Sequence, residues 1–228
     1  RQKSFLYIRK QSLQHNRSIP VVLTIDIGNT TIGIGGFQGN KLLFIEKISS
    51  RRPLSDAGYI EKLNMILNKH GLSAEAFEGS MISSVVPSVT AVFSSALETI
   101  LGRKPLILSH KLDLGYEICT DFPEKVGCDR LADIAGAISR YSLPFVTIDL
   151  GTATTFNVLD ENRRFLGGLI LPGVGTAHRA LLGKTAQLPK GDIHMPAHTI
   201  GANTQECITG GMLLGNACAI DGLIRRIQ

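Results

Sequence analysis

The 228-residue sequence has no tryptophan and only 13 aromatic residues, nine Phe and four Tyr. That supply is too small for a platform that stacks nucleic-acid bases, and it leaves the core to aliphatic side chains. The four cysteines, Cys119, Cys128, Cys207 and Cys218, show no C-x-x-C spacing. They read as reduced thiols in a cytoplasmic protein, not as a disulfide framework. Of the six histidines only His194 and His198 stand four apart, and Pro196 between them argues against a helical metal pair. No apolar run approaches the length of a membrane span, so no membrane partner is expected. The excess of positive charge is also missing from the body of the chain. Arg1, Lys3, Arg9, Lys10 and Arg17 account for the net +5, and without them 19 basic residues face 19 acidic ones. A broad nucleic-acid footprint is therefore not expected. Residues 1–20, basic, acid-free and lacking a signal-peptide apolar stretch, read as an N-terminal extension.

What is present is a glycine-rich globular chain, with 24 Gly and 43% hydrophobic residues, long enough for two lobes of about 100 residues. Three β-branched runs, Val21–Ile25, Thr31–Phe37 and Lys41–Ile48, are separated by short turns and predict consecutive antiparallel strands. A helix is expected from Asp56 to His70, with Gly71 at its C-terminal cap. A strand over Ser80–Val86 should then give way to a helix capped by Ser88, with Val89, Val92, Phe93, Ala96, Leu97, Ile100 and Leu101 at helical spacing. Another short strand is expected over Pro105–Leu108 and a helix opening at Asp129. A strand over Arg164–Leu171 and helices near Ala177–Leu182 and after Asn203 complete the pattern, the last with Asn203 and Glu206 spaced as a capping box.

The opening of the chain recurs. Phe145–Val158 lies over Val22–Ile34, with Thr-Ile-Asp, Gly and a later Thr in common, at an interval of 123 residues from Asp26 to Asp149. That interval is too long for a solenoid and marks two similar lobes, 21–142 and 143–228, with a boundary near Ser142–Pro144. Strands first and αβ segments after predict an α/β protein of mixed sheets flanked by helices.

Each copy ends a strand with Asp-x-Gly and then hydroxyl or amide side chains. The glycine allows close approach of backbone to an anion, and Asn29, Thr30, Thr31, Thr152, Thr154 and Thr155 add small donors. A carboxylate repels phosphate, by about 4 kcal/mol at 4 Å and an effective dielectric near 20, unless a cation lies between them. Asp26 and Asp149 therefore predict a metal-dependent phosphate site. An ordinary hairpin also accounts for one such turn, though less readily for two. No G-x-x-x-x-G-K-[ST] loop competes as a phosphate site, and the hairpin after Asp26 leads to strand where a dinucleotide fingerprint needs helix.

Four blocks in this order, Asp26–Thr30, Gly127–Arg130, Asp149–Thr155 and Gly167–Gly173, resemble the signature blocks of the type III pantothenate kinases. These belong to the acetate and sugar kinase, Hsp70 and actin superfamily. Ser83–Pro87 and Ile200–Thr204 are also similar to segments of that family. The resemblance spans Val21 to Gln228 and implies two actin-like (RNase H-like) lobes. It implies ATP-dependent phosphorylation of pantothenate to 4'-phosphopantothenate, the first step of coenzyme A biosynthesis. Asp26, Ile27, Gly28, Asn29, Thr30, Thr31, Ile32, Gly33 and Thr152 would contact ATP, which comes with Mg²⁺. Asp149 would hold a monovalent cation, K⁺ or NH₄⁺. Gly127, Cys128, Asp129, Arg130 and Thr185 would contact pantothenate, with Asp129 as general base, in a homodimer. Two departures stand out: Thr120 occupies a position where the family has Tyr, and the family's chains continue beyond an equivalent of Gln228. A catalytically silent relative, or another phosphotransferase or phosphohydrolase of the superfamily, shares the two turns. Read from the residues alone, Asp129 is either the N-cap of its helix or a base. Arg130 is either a surface ion-pair partner or a clamp for the substrate carboxylate and the phosphoryl group.

Overall fold

The computed structural model describes residues 20–184 and 191–228, and the chain divides into two compact units, 1–108 and 109–228. The expected extension 1–20 lies, except for Pro20, outside the described residues. So does Thr185.

Unit 1 holds a five-stranded sheet of β1 (Val21–Ile27), β2 (Thr31–Gln38), β3 (Lys41–Ser49), β4 (Phe77–Ser84) and β5 (Leu106–Ile107), in the order β3-β2-β1-β4-β5. The first three strands are antiparallel neighbours, whereas β4 runs parallel to β1 and to β5. Period-2 alternation fixes the faces. Leu23, Ile25 and Ile27 of β1 and Ile32 and Ile34 of β2 are buried, while Thr24 and Asp26 point the other way.

Helices α1 (Asp56–Lys69) and α2 (Pro87–Leu101) supply the rest of this core through Tyr59, Leu63, Phe93 and Leu97, with the Tyr59 and Phe93 rings 4.7 Å apart. Ser55 caps α1 by accepting from the Gly58 N–H at 3.2 Å, and the helix ends at His70 with Gly71 at φ +65°. Helix α2 starts one residue earlier than its expected cap. Val86 is the N-cap and Pro87 the first helical residue, a place where the missing proline N–H is no loss. Ser88 is exposed within the helix. It is Ser84 that ties down the entry, accepting from the Val86 N–H at 3.0 Å and from the Thr90 hydroxyl at 2.6 Å.

Unit 2 holds β6 (Glu117–Ile118), β7 (Phe145–Leu150), β8 (Ala153–Leu159) and β9 (Arg164–Pro172), in the order β6-β9-β8-β7. Its helices are α3 (Cys128–Ile138), α4 (Val174–Gly183) and α5 (Thr204–Ile227). The division after Leu108 puts residues 109–142 in this unit, upstream of the boundary read from the repeat. The reason is packing: β6 pairs with β9, α3 lies on β7 and β8, and Tyr116, Ile118, Val126 and Ile138 surround Ile134, Leu159 and Phe165.

Helix α5 opens on the expected cap. Asn203 accepts from the Glu206 N–H at 3.0 Å, and Glu206 reaches back one residue further than a standard box, to the Ala202 N–H at 2.8 Å. By length and composition α5 could cross a membrane, a property that no unbroken apolar run in the sequence reveals. Ile208, Thr209 and Gly210 are buried and α4 packs on it, while 17% of its most apolar stretch is buried.

The two Asp-x-Gly hairpins differ by one residue. Asp26 pairs with Gly33 and the Gly28 N–H donates to the Thr31 carbonyl at 2.9 Å, so Asn29 and Thr30 form the tip. Asp149 pairs with Thr155 and the Gly151 N–H donates to the Ala153 carbonyl at 2.9 Å, leaving Thr152 alone at the tip. The ungapped likeness of the sequences therefore holds for the first strands, and the second strands are offset by one place.

Candidate active site

In unit 1 Ile27 and Ile32 are wholly buried, backbone included, and form the floor beneath the turn. Asp26 is exposed at the end of β1, and Asn29 and Thr31 are exposed at the turn. Gly33 faces Asp26 across the ladder, where a Cβ would stand 3.8 Å from that of the aspartate. Gly28 contributes space but not a donor, because its N–H closes the hairpin. On the other side of Asp26 the register places Ser83, whose buried hydroxyl has no hydrogen-bond partner among the described residues. Ser83, from the Ser83–Pro87 segment, thereby joins the polar groups here.

In unit 2 the pairing of Thr147 with Asn157 and of Asp149 with Thr155 sets all four residues on one face of the sheet. Helix α3 packs over β7 and β8 and brings the Gly127–Arg130 block with it. Gly127, not Asp129, is the N-cap; Cys128 is the first helical residue and Asp129 the second. Asp129 still serves the helix end, since its Oδ1 accepts from the Arg130 N–H at 2.8 Å.

Arg130 is neither a surface ion-pair partner nor loose. Its Nε donates to Asn157 Oδ1 at 2.6 Å, and Nη2 donates weakly to the Phe156 carbonyl at 3.4 Å. Its guanidinium lies 5.4 Å from the Phe165 ring centroid. Burial pushes the Arg130 guanidinium below its ordinary value, opposed by the charges of Asp129 and Asp133. Asn157 is wholly buried and passes the connection on, donating from Nδ2 to Thr147 Oγ1 at 3.0 Å.

The Gly167–Gly173 block has a steric reading. A Cβ on Gly168 would collide with the Phe156 carbonyl and stand 3.0 Å from Arg130 Nη2, so this glycine makes room for the arginine. Gly167 takes φ +114°, and a Cβ there would lie 3.9 Å from Thr120 Cγ2. Thr120, the departure from the family pattern, has a buried hydroxyl with no partner among the described residues. Gly173 is buried against the second turn: its N–H donates to the Thr152 carbonyl at 3.1 Å, and Thr176 donates to the same oxygen at 2.7 Å. Asp149 is exposed beside this turn, and a Cβ on Gly151 would stand 3.4 Å from its Oδ2. Among the described residues no group of three or more His, Cys, Asp or Glu side chains could hold a metal ion by itself.

Mixed sheets flanked by helices, in two units that each contain an Asp-x-Gly hairpin, define a fold of the actin-like class. Among solved structures, a Baf family protein from Campylobacter jejuni, described as a transcriptional activator, matches with a TM-score of 0.52. It is 17% identical and covers 88% of this chain and 78% of its own. The family model described as Type III pantothenate kinase matches residues 22–226. Curated relatives of that name from Thermomicrobium roseum and Dictyoglomus turgidum are 36% and 35% identical. The first match covers 91% of this chain and the second 90%, and each covers 80% of the relative. The chain belongs to the type III pantothenate kinase family. It is accordingly a phosphotransferase that uses ATP to phosphorylate pantothenate, the entry step to coenzyme A.

Proposed function

We propose that Asp129 is the general base of this transfer and that Arg130 meets the carboxylate of pantothenate, within a substrate segment formed by Gly127, Cys128, Asp129 and Arg130. The observation that carries this reading is the placement of both side chains in the first turn of α3, with Arg130 held by its Nε and not enclosed by a carboxylate. A helix N-terminus favours an approaching anion, and a guanidinium with N–H groups left over suits a carboxylate. Asp129 Oδ2 is then the oxygen that takes the hydroxyl proton as the pantothenate oxygen bonds to the γ-phosphorus of ATP and the γ-phosphorus bond to the bridging oxygen breaks, ADP leaving; Oδ1 is engaged with its own helix.

The Asp26–Gly33 turn and Thr152 are assigned to the phosphates of ATP, with Mg²⁺ near Asp26 and K⁺ or NH₄⁺ at Asp149. Carboxylate and hydroxyl oxygens dominate both turns, which suits hard cations, and Gly151 leaves space beside Asp149 Oδ2 that a side chain would take. When bound, such ions offset the charge of the phosphate oxygens. A homodimer located in the cytoplasm completes the reading.

The test is Asp129→Asn. Turnover should fall by about 10²–10⁴-fold while ATP binding, measured by calorimetry, is retained. Turnover near that of the parent protein would remove Asp129 from the role of base. ADP release should also require pantothenate, and should drop when Na⁺ replaces K⁺.

A further inference from the structure

Asn157 belongs to none of the residues that the family resemblance singles out, yet it is the residue that touches Arg130 most closely. Its amide is wholly buried and doubly engaged, accepting from Arg130 Nε at 2.6 Å and donating to Thr147 Oγ1 at 3.0 Å. The amide orientation follows from the partners. A guanidinium has only donors, so the atom facing it must be the oxygen. The nitrogen is then left for the Thr147 hydroxyl.

The chemistry of an amide at this place differs from that of a carboxylate in one respect that matters for an anionic substrate. Both can fix the guanidinium by a short hydrogen bond. Only the carboxylate also cancels its charge. The Arg130 guanidinium touches the Asn157 amide, the Phe156 carbonyl and the Phe165 ring, all three uncharged. Asp129 and Asp133 act on it through the field of their charges. Gly168 keeps the space over the sheet open so that the arginine can lie there.

We infer that Asn157 is a positioning residue: it holds the Arg130 guanidinium over the sheet of unit 2 while leaving its positive charge available to the carboxylate of pantothenate. This rests on the reading of Arg130 given above. An arginine pinned at Nε loses little side-chain freedom on meeting its ligand, and its outer N–H groups keep a fixed direction.

The experiment compares kcat/KM for pantothenate with that for the uncharged alcohol in which its carboxylate is replaced by hydroxymethyl. Asn157→Asp keeps the shape and adds the cancelling charge. It should lower kcat/KM for pantothenate about 10- to 100-fold, mainly through KM, corresponding to loss of one charge-assisted hydrogen bond to the substrate. The value for the alcohol should fall by less than about threefold. A second variant, Thr147→Val, removes the hydroxyl that orients the amide from behind and introduces no charge. It should reduce the preference for pantothenate in the same direction but less, and it keeps the question open to measurement if the aspartate variant fails to fold.

Arg130→Ala separates the two layers of the argument. If it abolishes the preference while neither Asn157→Asp nor Thr147→Val changes it, Arg130 meets the carboxylate and the positioning role of Asn157 is wrong. If Arg130→Ala leaves the preference intact, the underlying contact is wrong and the inference falls with it. Equal losses for both acceptors in the Asn157 and Thr147 variants would mark a merely structural role and overturn the proposal.

Discussion

Replacing Gly173 by alanine isolates the support of the second phosphate turn. The backbone there has φ −64° and ψ 155°, which alanine adopts without strain, so the cost is steric. The added methyl would collide with the Gly151 carbonyl and stand 2.8 Å from the Thr152 oxygen and 3.0 Å from its carbonyl carbon. These are backbone atoms and cannot rotate away. Overpacking of this kind costs about 1–3 kcal/mol, and alanine is in addition a poorer N-cap than glycine. Relief requires the turn to move, which breaks the bonds from the Gly173 N–H and the Thr176 hydroxyl to the Thr152 carbonyl. Urea denaturation should therefore show a loss of about 1–3 kcal/mol, accompanied by a raised KM for ATP. Gly175→Ala is the control. Its methyl would meet only Arg179 Nη1, at 3.3 Å, the end of a flexible side chain. It should be neutral or slightly stabilising, because alanine is the better helix former. A Gly173→Ala protein within about 0.5 kcal/mol of its parent, with unchanged ATP kinetics, would refute the view that this glycine braces the turn.

Two further expectations concern unit 1. Glu46 accepts from Lys69 Nζ at 2.7 Å and lies 2.8 Å from His70 Nε2, and these partners hold its carboxyl below the ordinary glutamate range. A carboxylate with a depressed folded-state value stabilises above its unfolded value, about pH 4.3, and loses that contribution as pH falls through the folded value. The stability difference between the parent protein and Glu46→Gln should thus be flat at neutral pH and shrink in acid, and a difference independent of pH down to 3 would contradict it. Ser55→Ala removes the hydroxyl that accepts from the Gly58 N–H, and should cost about 1 kcal/mol in chemical denaturation with no effect on substrate KM.

Much of the fold is legible in local chemistry. The hairpins follow from β-branched runs broken by Asp-x-Gly, and α1 follows from its periodicity and Gly71. The Asn203–Glu206 spacing marks the start of α5. The misses have a common cause: they depend on what pairs or packs from elsewhere. Ser88 reads as a cap, but Pro87 is compatible with the first helical place and Ser84, from the preceding strand, does the tying. Asp129 reads as either a cap or a base, and of these the cap's place is held by Gly127. Residues 109–142 join the second unit through β6 and α3, which no repeat of the opening strands reveals. Asn157 lies outside every signature block of the sequence, one polar residue in a strand. A signal did exist, because period-2 alternation sets it on the same face as the buried Leu159, and a polar group in that row needs a partner.

The unequal turns at Asn29–Thr30 and Thr152 also limit how the two halves of such a gene can exchange sequence. Because strand faces alternate, a loop shorter by one residue inverts everything that follows it. Copying Asp149–Asn157 over Asp26–Ile34 with the host loop length preserved would carry Thr155 and Asn157 into the places of Ile32 and Ile34, which are wholly buried. Copying the loop length as well would shift β2 against β3, where Thr31–Gln38 is already matched to Lys41–Ser49. Two halves with matching strands but unequal turns thus resist being homogenised by recombination, and each remains free to specialise.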